Sequence, residues 1–412
     1  MNIIERWTQS SLILKIFIGL IVGTILGILV PEWTVIGFIG DIFVSALKAI
    51  APILVFVLVT SAICQAKMGD GSKFTMIFVL FLFTNFLAAL ISIAACHFYP
   101  VSIHLTSATN VTAVGGIGDV MSQMILKVFE SPVKALVEGE YLAILFWSIT
   151  LGFALKVVAS DTTKKVINDI SEAFTKVVGF IIQFAPIGVM GLVFTSVSQS
   201  GLGIFSQYGQ AILLIVVCIA VVGFIINPLI GGIILRKNPY PLALLCYRES
   251  GIMAFFSRSS AANIPINIRL CERLGLDRDF FSITIPLGST INTNGAAVTI
   301  AVMTLITCHT LGISVSLPMA IVLALVTTVA ACCASGVIGG SLLLIPLTCS
   351  MFGISQDISM QVVAVGFIIS VIQDSCETGI NSACDVFFTA VVEYYYRAKN
   401  SKPLNYLGEF AK

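Results

Sequence analysis

The sequence predicts an all-α polytopic membrane protein in which eight transmembrane helices are combined with two re-entrant helical hairpins. Three observations carry this. Of 412 residues, 58% are hydrophobic and only 10% charged, with a mean hydropathy of +1.04, outside the soluble globular range. Apolar runs long enough to span a bilayer recur near 12–30, 36–66, 76–99, 139–158, 174–198, 210–235, 279–308 and 360–396. Two further stretches, 240–272 and 316–350, each hold a pair of apolar arms of about 12 residues, ~18 Å apiece, around a tip of small residues. Arms of that length are too short to cross. One integrated domain, 1–412, is expected.

Positive charge sets the topology. With the N-terminus in the cytoplasm, the inside loops hold every Lys and Arg of the 22 except Lys48, Lys127, Lys134 and Arg258. Lys127 and Lys134 fall outside; Lys48 lies within a span, where snorkelling or a contact between two moving parts would explain it. Both termini are then cytoplasmic, the first hairpin enters from the cytoplasm and the second from outside. The polar segment 2–9 precedes a run, 12–30, that lacks a small-residue cleavage site, so the run is expected to stay as the first helix. The segment 100–132, rich in Ser, Thr, Gly and Asn, reads as an extracytoplasmic loop. The net charge of +1 gives no nucleic-acid signal. The eleven Cys lie mostly in apolar runs and the three His are scattered, which argues against a zinc or disulfide framework.

The last span carries the chemistry. On a helix, Ser370, Asp374, Glu377, Thr378, Asn381 and Asp385 fall on one stripe. An ionised carboxylate near the bilayer centre costs ~3 kcal/mol even on the lenient insertion scale. No Lys or Arg lies between Met360 and Tyr396 to offset three of them. Positive charge must come from a bound inorganic cation, a substrate ammonium, protons, or a basic residue brought in by the fold.

Each hairpin precedes a polar-striped span. The first tip, SRSSAANIP at 257–265, is followed by GSTINTNG at 288–295; the second, ASGVIGGSLLLIP at 334–346, by the acidic stripe. Hairpin plus broken or polar helix, twice, with opposite entry sides, marks an inverted repeat around a midplane site. Gly and Ser at the tips let backbone approach a ligand; free N–H groups there attract a carboxylate, and unwound carbonyls suit a hard cation such as sodium. Gly288, Asn292 and Gly295 are placed to interrupt the seventh span. Arg258 is the one cation at a tip, positioned to pair with Asp374 or Glu377 or to bind a substrate carboxylate.

The SRSS tip, the INTNG break, the SGVIGG tip and the QDSCETGINSACD helix resemble the dicarboxylate/amino acid:cation symporter family, which includes the glutamate and neutral amino acid transporters. The likeness covers essentially the whole chain. Within the family the motifs look like those of the bacterial branch that carries serine and threonine with sodium. The resemblance implies a glutamate-transporter-like homotrimer in the bacterial inner membrane. Its fixed scaffold would be formed by approximately 12–66 and 139–198, and its sliding transport part by approximately 76–99 and 210–396, working as an elevator. It implies that Ser259 and Ser260, with the backbone around Val337 and Ser341, hold the substrate carboxylate. Asp374 would take the ammonium, with Thr378 and Asn381 completing the pocket. Co-transported Na+ would be held by Asp385 and the carbonyls of Gly288, Asn292 and Asn381. A second ion would use Thr290 and carbonyls near Ala331, Cys332 and Ala334.

Two departures from the family pattern shape the expected substrate. Acidic-substrate members carry Arg where Glu377 stands; a carboxylate there repels aspartate and glutamate and favours a small neutral hydroxy amino acid. Acidic members also carry a sodium-ligating Asp at the position of Asn294. Thr84 and Asn85 could still offer oxygens, but fewer coupled sodium ions are expected. A proton-coupled neutral amino acid symporter is the alternative, since protons also neutralise buried acids. An aspartyl hydrolase is excluded: Asp374 and Asp385 lie ~16 Å apart along one helix, too far to share a proton. No Ser/His or HExxH constellation offers other enzyme chemistry. Two opposed hairpins argue for alternating access over a channel.

Overall fold

In the computed structural model, which describes residues 12–65, 71–105, 126–334, 339–401 and 406–410, every regular element is helical. Helices satisfy their own backbone hydrogen bonds, which hydrocarbon demands of any open segment. The first half contains α1 (Leu12–Leu29), α2 (Thr34–Gln65), α3 (Ser72–Phe98), the short α4 (Pro132–Glu138), α5 (Tyr141–Val158), α6 (Asp161–Gln183) and α7 (Ala185–Ser200). A 3-10 turn at Gly201–Gly203 leads into α8 (Ile204–Val221), a π-turn at Val222–Ile226 and α9 (Asn227–Leu235). Among the described residues, six helical runs are long and apolar enough to cross a membrane: α2, α3, α5, Ala185–Leu235, Arg278–Thr310 and Gln356–Lys399. Two shorter apolar stretches are Leu14–Leu29 and Leu317–Cys333. The chain is thus built as a polytopic membrane protein.

The expected span 174–198 is divided. α6 stops at Gln183 and α7 starts at Ala185, because Pro186 has no N–H to continue the ladder and fits only the first turn of a new helix. Against α7 lies α1. A Cβ on Gly19 would sit 2.1 Å from the Pro186 carbonyl oxygen, and one on Gly23 2.3 Å from that of Met190. The four-residue glycine spacing therefore brings two backbones into direct contact, the way helices gain packing where lipid removes any hydrophobic drive.

The first hairpin runs out through α10 (Tyr240–Cys246), a π-turn at Tyr247–Gly251 and α11 (Ile252–Ser257), and returns as α12 (Ser260–Arg273). Arg258 turns the chain with a left-handed backbone (φ 53°), and the Ser259 hydroxyl caps α12 by accepting from the Ala262 N–H at 3.2 Å. Next come α13 (Arg278–Ile291), α14 (Asn294–Thr310) and α15 (Leu317–Cys333). α15 is the outgoing arm of the second hairpin, which returns through a 3-10 turn at Leu342–Leu344 and α16 (Ile345–Ser350). The arms are unequal, unlike the matched pair expected. Pro346 restarts the return arm as a separate one-turn helix, which Met351–Gly353 closes with a left-handed Gly353 (φ 69°).

The final helix, α17 (Gln356–Lys399), is the 44-residue axis of the molecule and is buried along most of its length. Ser355 caps it by accepting from the Ile358 N–H at 3.4 Å, and Arg397 and Lys399 occupy the last turn, where cations complement the dipole. α1, α2, α5, α6 and α7 pack on one another, while α3, α8 to α14 and α16 pack with α17, and α15 packs on α3, α13 and α14. Between the two groups, Lys48 of α2 pairs with Asp357 at the start of α17, and Phe43 meets Phe367 edge-on at 5.4 Å. A partner across this junction, rather than snorkelling, accounts for Lys48.

Candidate functional site

The seventh apolar run breaks at Asn292 and Thr293, whose backbones (φ −85°, ψ 77° and φ −119°, ψ 51°) leave the helical region between α13 and α14. Groups freed by a break inside a protein need partners. Asn85 on α3 supplies two at once: its Nδ2 donates to the Ile291 carbonyl at 2.7 Å and its Oδ1 accepts from the Thr293 N–H at 3.1 Å. Asn294 is held on both sides of its amide. Its Nδ2 donates to Thr84 Oγ1 (3.2 Å), Asn85 Oδ1 (2.8 Å) and Asn292 Oδ1 (3.2 Å), and its Oδ1 accepts from Asn227 Nδ2 at 2.8 Å. Thr84 and Asn85 are therefore committed to an amide, not presented as free oxygens.

Asn227 reaches this point because the π-turn before it shifts the register of the helix. Tyr247, at the start of the other π-turn, donates its hydroxyl to the Gly223 carbonyl at 2.7 Å, so the two irregular turns are joined.

Beside the break, Asp385 is fully buried. Its Oδ1 accepts from Asn292 Nδ2 at 2.9 Å, and its Oδ2 has no hydrogen-bond partner among the described residues. A Cβ on Gly288 would lie 2.7 Å from Asp385 Oδ1, so only glycine lets this carboxylate lie against α13. Asn292 Nδ2 also donates to the Asn381 carbonyl at 3.3 Å. Gly288, Asn292 and Asn381 are thus gathered beside the Asp385 carboxylate, through the open Gly288 position, the Asn292 side chain and the Asn381 carbonyl that this side chain also reaches. Thr290 does not join them: it is exposed on another face of α13 and donates to the Leu287 carbonyl at 2.8 Å. Of the residues expected near it, Cys332 approaches the break, its Sγ 3.5 Å from the Ile291 carbonyl.

About two and three turns earlier on α17, the remaining acids Glu377 and Asp374 find separate partners. Arg258 Nε donates to Asp374 Oδ2 at 2.7 Å, and the Gly339 N–H lies 3.4 Å from Asp374 Oδ1. This settles the choice left open for Arg258 and makes Asp374 an acid with a basic partner carried in by the first hairpin tip. Glu377 accepts three side-chain donors on Oε2: Thr299 Oγ1 (2.9 Å), Ser341 Oγ (2.9 Å) and Gln373 Nε2 (2.5 Å). Ser341 is therefore committed to Glu377. Thr378 donates to the Asp374 carbonyl at 2.8 Å, and Asn381 Oδ1 accepts from the Gly295 N–H at 2.8 Å. Ser259 and Ser260 stand half-buried at the first tip. Val337 lies outside the described residues.

Sequence reasoning missed Asn227, Thr299 and Gln373. A polar residue inside an apolar run flags Asn227, and the i,i+4 spacing of Gln373 and Glu377 flags the second pair. A third acidic group, Glu130, Glu138 and Glu140 near α4, brings carboxylates close enough to share an ion. Lys134 pairs with Glu130 and Glu138 and Lys127 with Glu140, and the Lys134 ammonium titrates above its ordinary range chiefly through its hydrogen bond to Glu130. Lysines already compensate that group.

The chain is similar in sequence to known proteins. A protein of Streptococcus thermophilus named serine/threonine transporter SstT is 50% identical over 392 residues, covering 95% of this chain and 97% of its own. A Streptococcus agalactiae protein of the same name is also 50% identical with the same coverage. One from Bifidobacterium adolescentis is 47% identical over 404 residues, 98% of this chain and 94% of its own. Residues 12–395 match the sodium:dicarboxylate symporter family, a family of transporters rather than enzymes, and the chain belongs to it.

Proposed function

We propose that this protein is a sodium-coupled symporter that imports serine and threonine. The observation that carries the reading is Asp385: a fully buried carboxylate with one unpartnered oxygen, held through the other by Asn292 at a broken helix. A permanent charge in that position is costly unless a mobile cation shares it. The names of the relatives support serine and threonine as substrates, and the family's name supports sodium. Glu377, in place of a basic residue, supports a neutral substrate, since a second carboxylate would be repelled.

In this reading the two hairpins are re-entrant and complete an architecture of eight spans. Ser259, Ser260 and the backbone around Val337 and Ser341 take the substrate carboxylate, Asp374 the ammonium, and Thr378 and Asn381 complete the pocket. Asp385 with Gly288, Asn292 and Asn381 takes sodium, and Thr290 serves a second ion. The group of α1, α2, α5, α6 and α7 is the scaffold, the group around α17 is the part that slides, and the molecule is a homotrimer of the bacterial inner membrane with both termini cytoplasmic.

Uptake of radiolabelled serine into proteoliposomes tests this. A sodium gradient at fixed pH should drive accumulation, unlabelled threonine should compete, and aspartate should not. Accumulation driven by a pH gradient and indifferent to sodium would establish proton coupling instead, because the unpartnered oxygen of Asp385 is also a proton acceptor.

A further inference from the structure

Glu377 lies one turn from Asp374 on the buried side of α17, and its surroundings are more specific than charge repulsion requires. Within the described residues every hydrogen bond to it ends on Oε2, from Thr299, Gln373 and Ser341. Two of these donors are linked: Gln373 Nε2 donates to Thr299 Oγ1 at 2.9 Å, which leaves the threonine proton to point at the acid. Thr299 comes from α14 and Gln373 from the preceding turn of α17, so the carboxylate is held from two helices before the second hairpin adds Ser341. An oxygen with three donors has no freedom to rotate away. Oε1 is the oxygen left to accept.

We infer that Thr299 and Gln373 are positioning residues that fix Glu377 so that its Oε1 accepts the hydroxyl proton of the transported amino acid. This rests on the serine/threonine reading above and deepens it, turning Glu377 from an excluder of acids into the group that selects hydroxylated substrates. The chemistry is complementary. The β-hydroxyl of serine or threonine is two bonds from the carbon bearing the ammonium, and Asp374, the proposed ammonium ligand, is one turn away. Alanine offers no donor, and a site built around a hydrogen bond discriminates strongly against the analogue that lacks it. If Thr299 and Gln373 only filled space, their replacement would affect every substrate alike.

The test uses full-length protein in proteoliposomes carrying Thr299→Val or Gln373→Met, each close in volume to the native residue. Sodium-driven serine uptake is measured with alanine as competitor. Each substitution should raise the serine KM about tenfold, as loss of a hydrogen bond to a charged group does, with the maximal rate little changed. The inhibition constant of alanine should stay within about twofold, since it makes no use of Oε1. Thr299→Ser should restore the native serine KM. Parallel losses for serine and alanine, or no change in either, would overturn the inference. If Gln373→Met fails to fold, Thr299→Val decides alone, because both donors act on the same oxygen. Native protein that takes up serine with sodium but prefers it no more than alanine refutes this inference and leaves the transport reading standing. Native protein with no serine uptake refutes the transport reading itself.

Discussion

At Gly288 the space for a Cβ is taken by Asp385 Oδ1, 2.7 Å from where that carbon would lie. The glycine and the carboxylate are therefore one device: the first clears the ground on which the second approaches the break. Asp385→Asn removes the charge without changing shape, and should raise the sodium concentration for half-maximal serine uptake by about tenfold or more, the worth of one charge-assisted contact. Gly288→Ala should have a similar effect while leaving every ligand atom in the chain, because a methyl forced into that contact displaces the acid. Sodium titrations of uptake check both; unchanged sodium dependence in either variant counts against this cluster as the ion site. At this scale the sequence was informative about acids and poor about their partners. The stripe from Asp374 to Asp385 follows from helical periodicity alone. That Arg258 meets Asp374 and not Glu377 depends on a left-handed turn at the tip, which a string of residues does not reveal. Gln373 lies about 100° around α17 from Asp374 but, four residues before Glu377, only about 40° from that acid, so its amide reaches the carboxylate directly.

The helix break between α13 and α14 is the element on which ion chemistry depends. Its INTNG sequence was legible as an interruption because Asn and Gly favour non-helical backbone. Less legible was how the break is supported: Asn85 and Asn227 stand on distant helices, and their contribution depends on packing and on a π-turn. In this structure the Asn294 amide nitrogen sits among Thr84 Oγ1, Asn85 Oδ1 and Asn292 Oδ1, three oxygens that would otherwise suit a cation. Asn294→Asp exchanges two N–H donors for a carboxylate and places it among acceptors. That variant should melt at lower temperature than the native protein without sodium and regain stability as sodium is added, with a steeper sodium dependence than native. Thermal unfolding of the purified protein across a sodium series reads this directly. The hairpin tips show the same division between pattern and packing. SRSS marked a hairpin tip without revealing the cap that Ser259 makes, and the unequal arms of the second hairpin appear only once the return helix, restarted at Pro346, is placed.

Across the whole molecule, two groups of helices meet along α17, and a cavity of about 240 Å³ opens at their junction. Lys48, Asp357, Asp41 and His104 are among its polar lining residues, and Leu192, Met360, Ala364 and Ile368 among its apolar ones. The Lys48–Asp357 pair is partly exposed, so its contribution is limited to about 0–1 kcal/mol. If the groups slide past each other, Lys48→Met weakens the arrangement seen here and should speed serine uptake by up to about fivefold, the population change that 1 kcal/mol supports. The serine and sodium concentrations for half-maximal uptake should stay as in the native protein. Altered apparent affinities with an unchanged maximal rate would place Lys48 in ligand binding instead. The positions of most apolar runs were readable from hydropathy, as was the polar character of the helix after each hairpin, whereas the division of 174–198 at Phe184 was not. The grouping of helices was not, since residues facing lipid and residues facing another helix are equally apolar. The backbone contact of α1 with α7 at Gly19 and Gly23 separates those two faces. It also leaves no slot wide enough for an acyl chain, so this seam should stay shut whatever fatty acids the surrounding bilayer contains, and should be among the last to part when detergent strips the molecule bare.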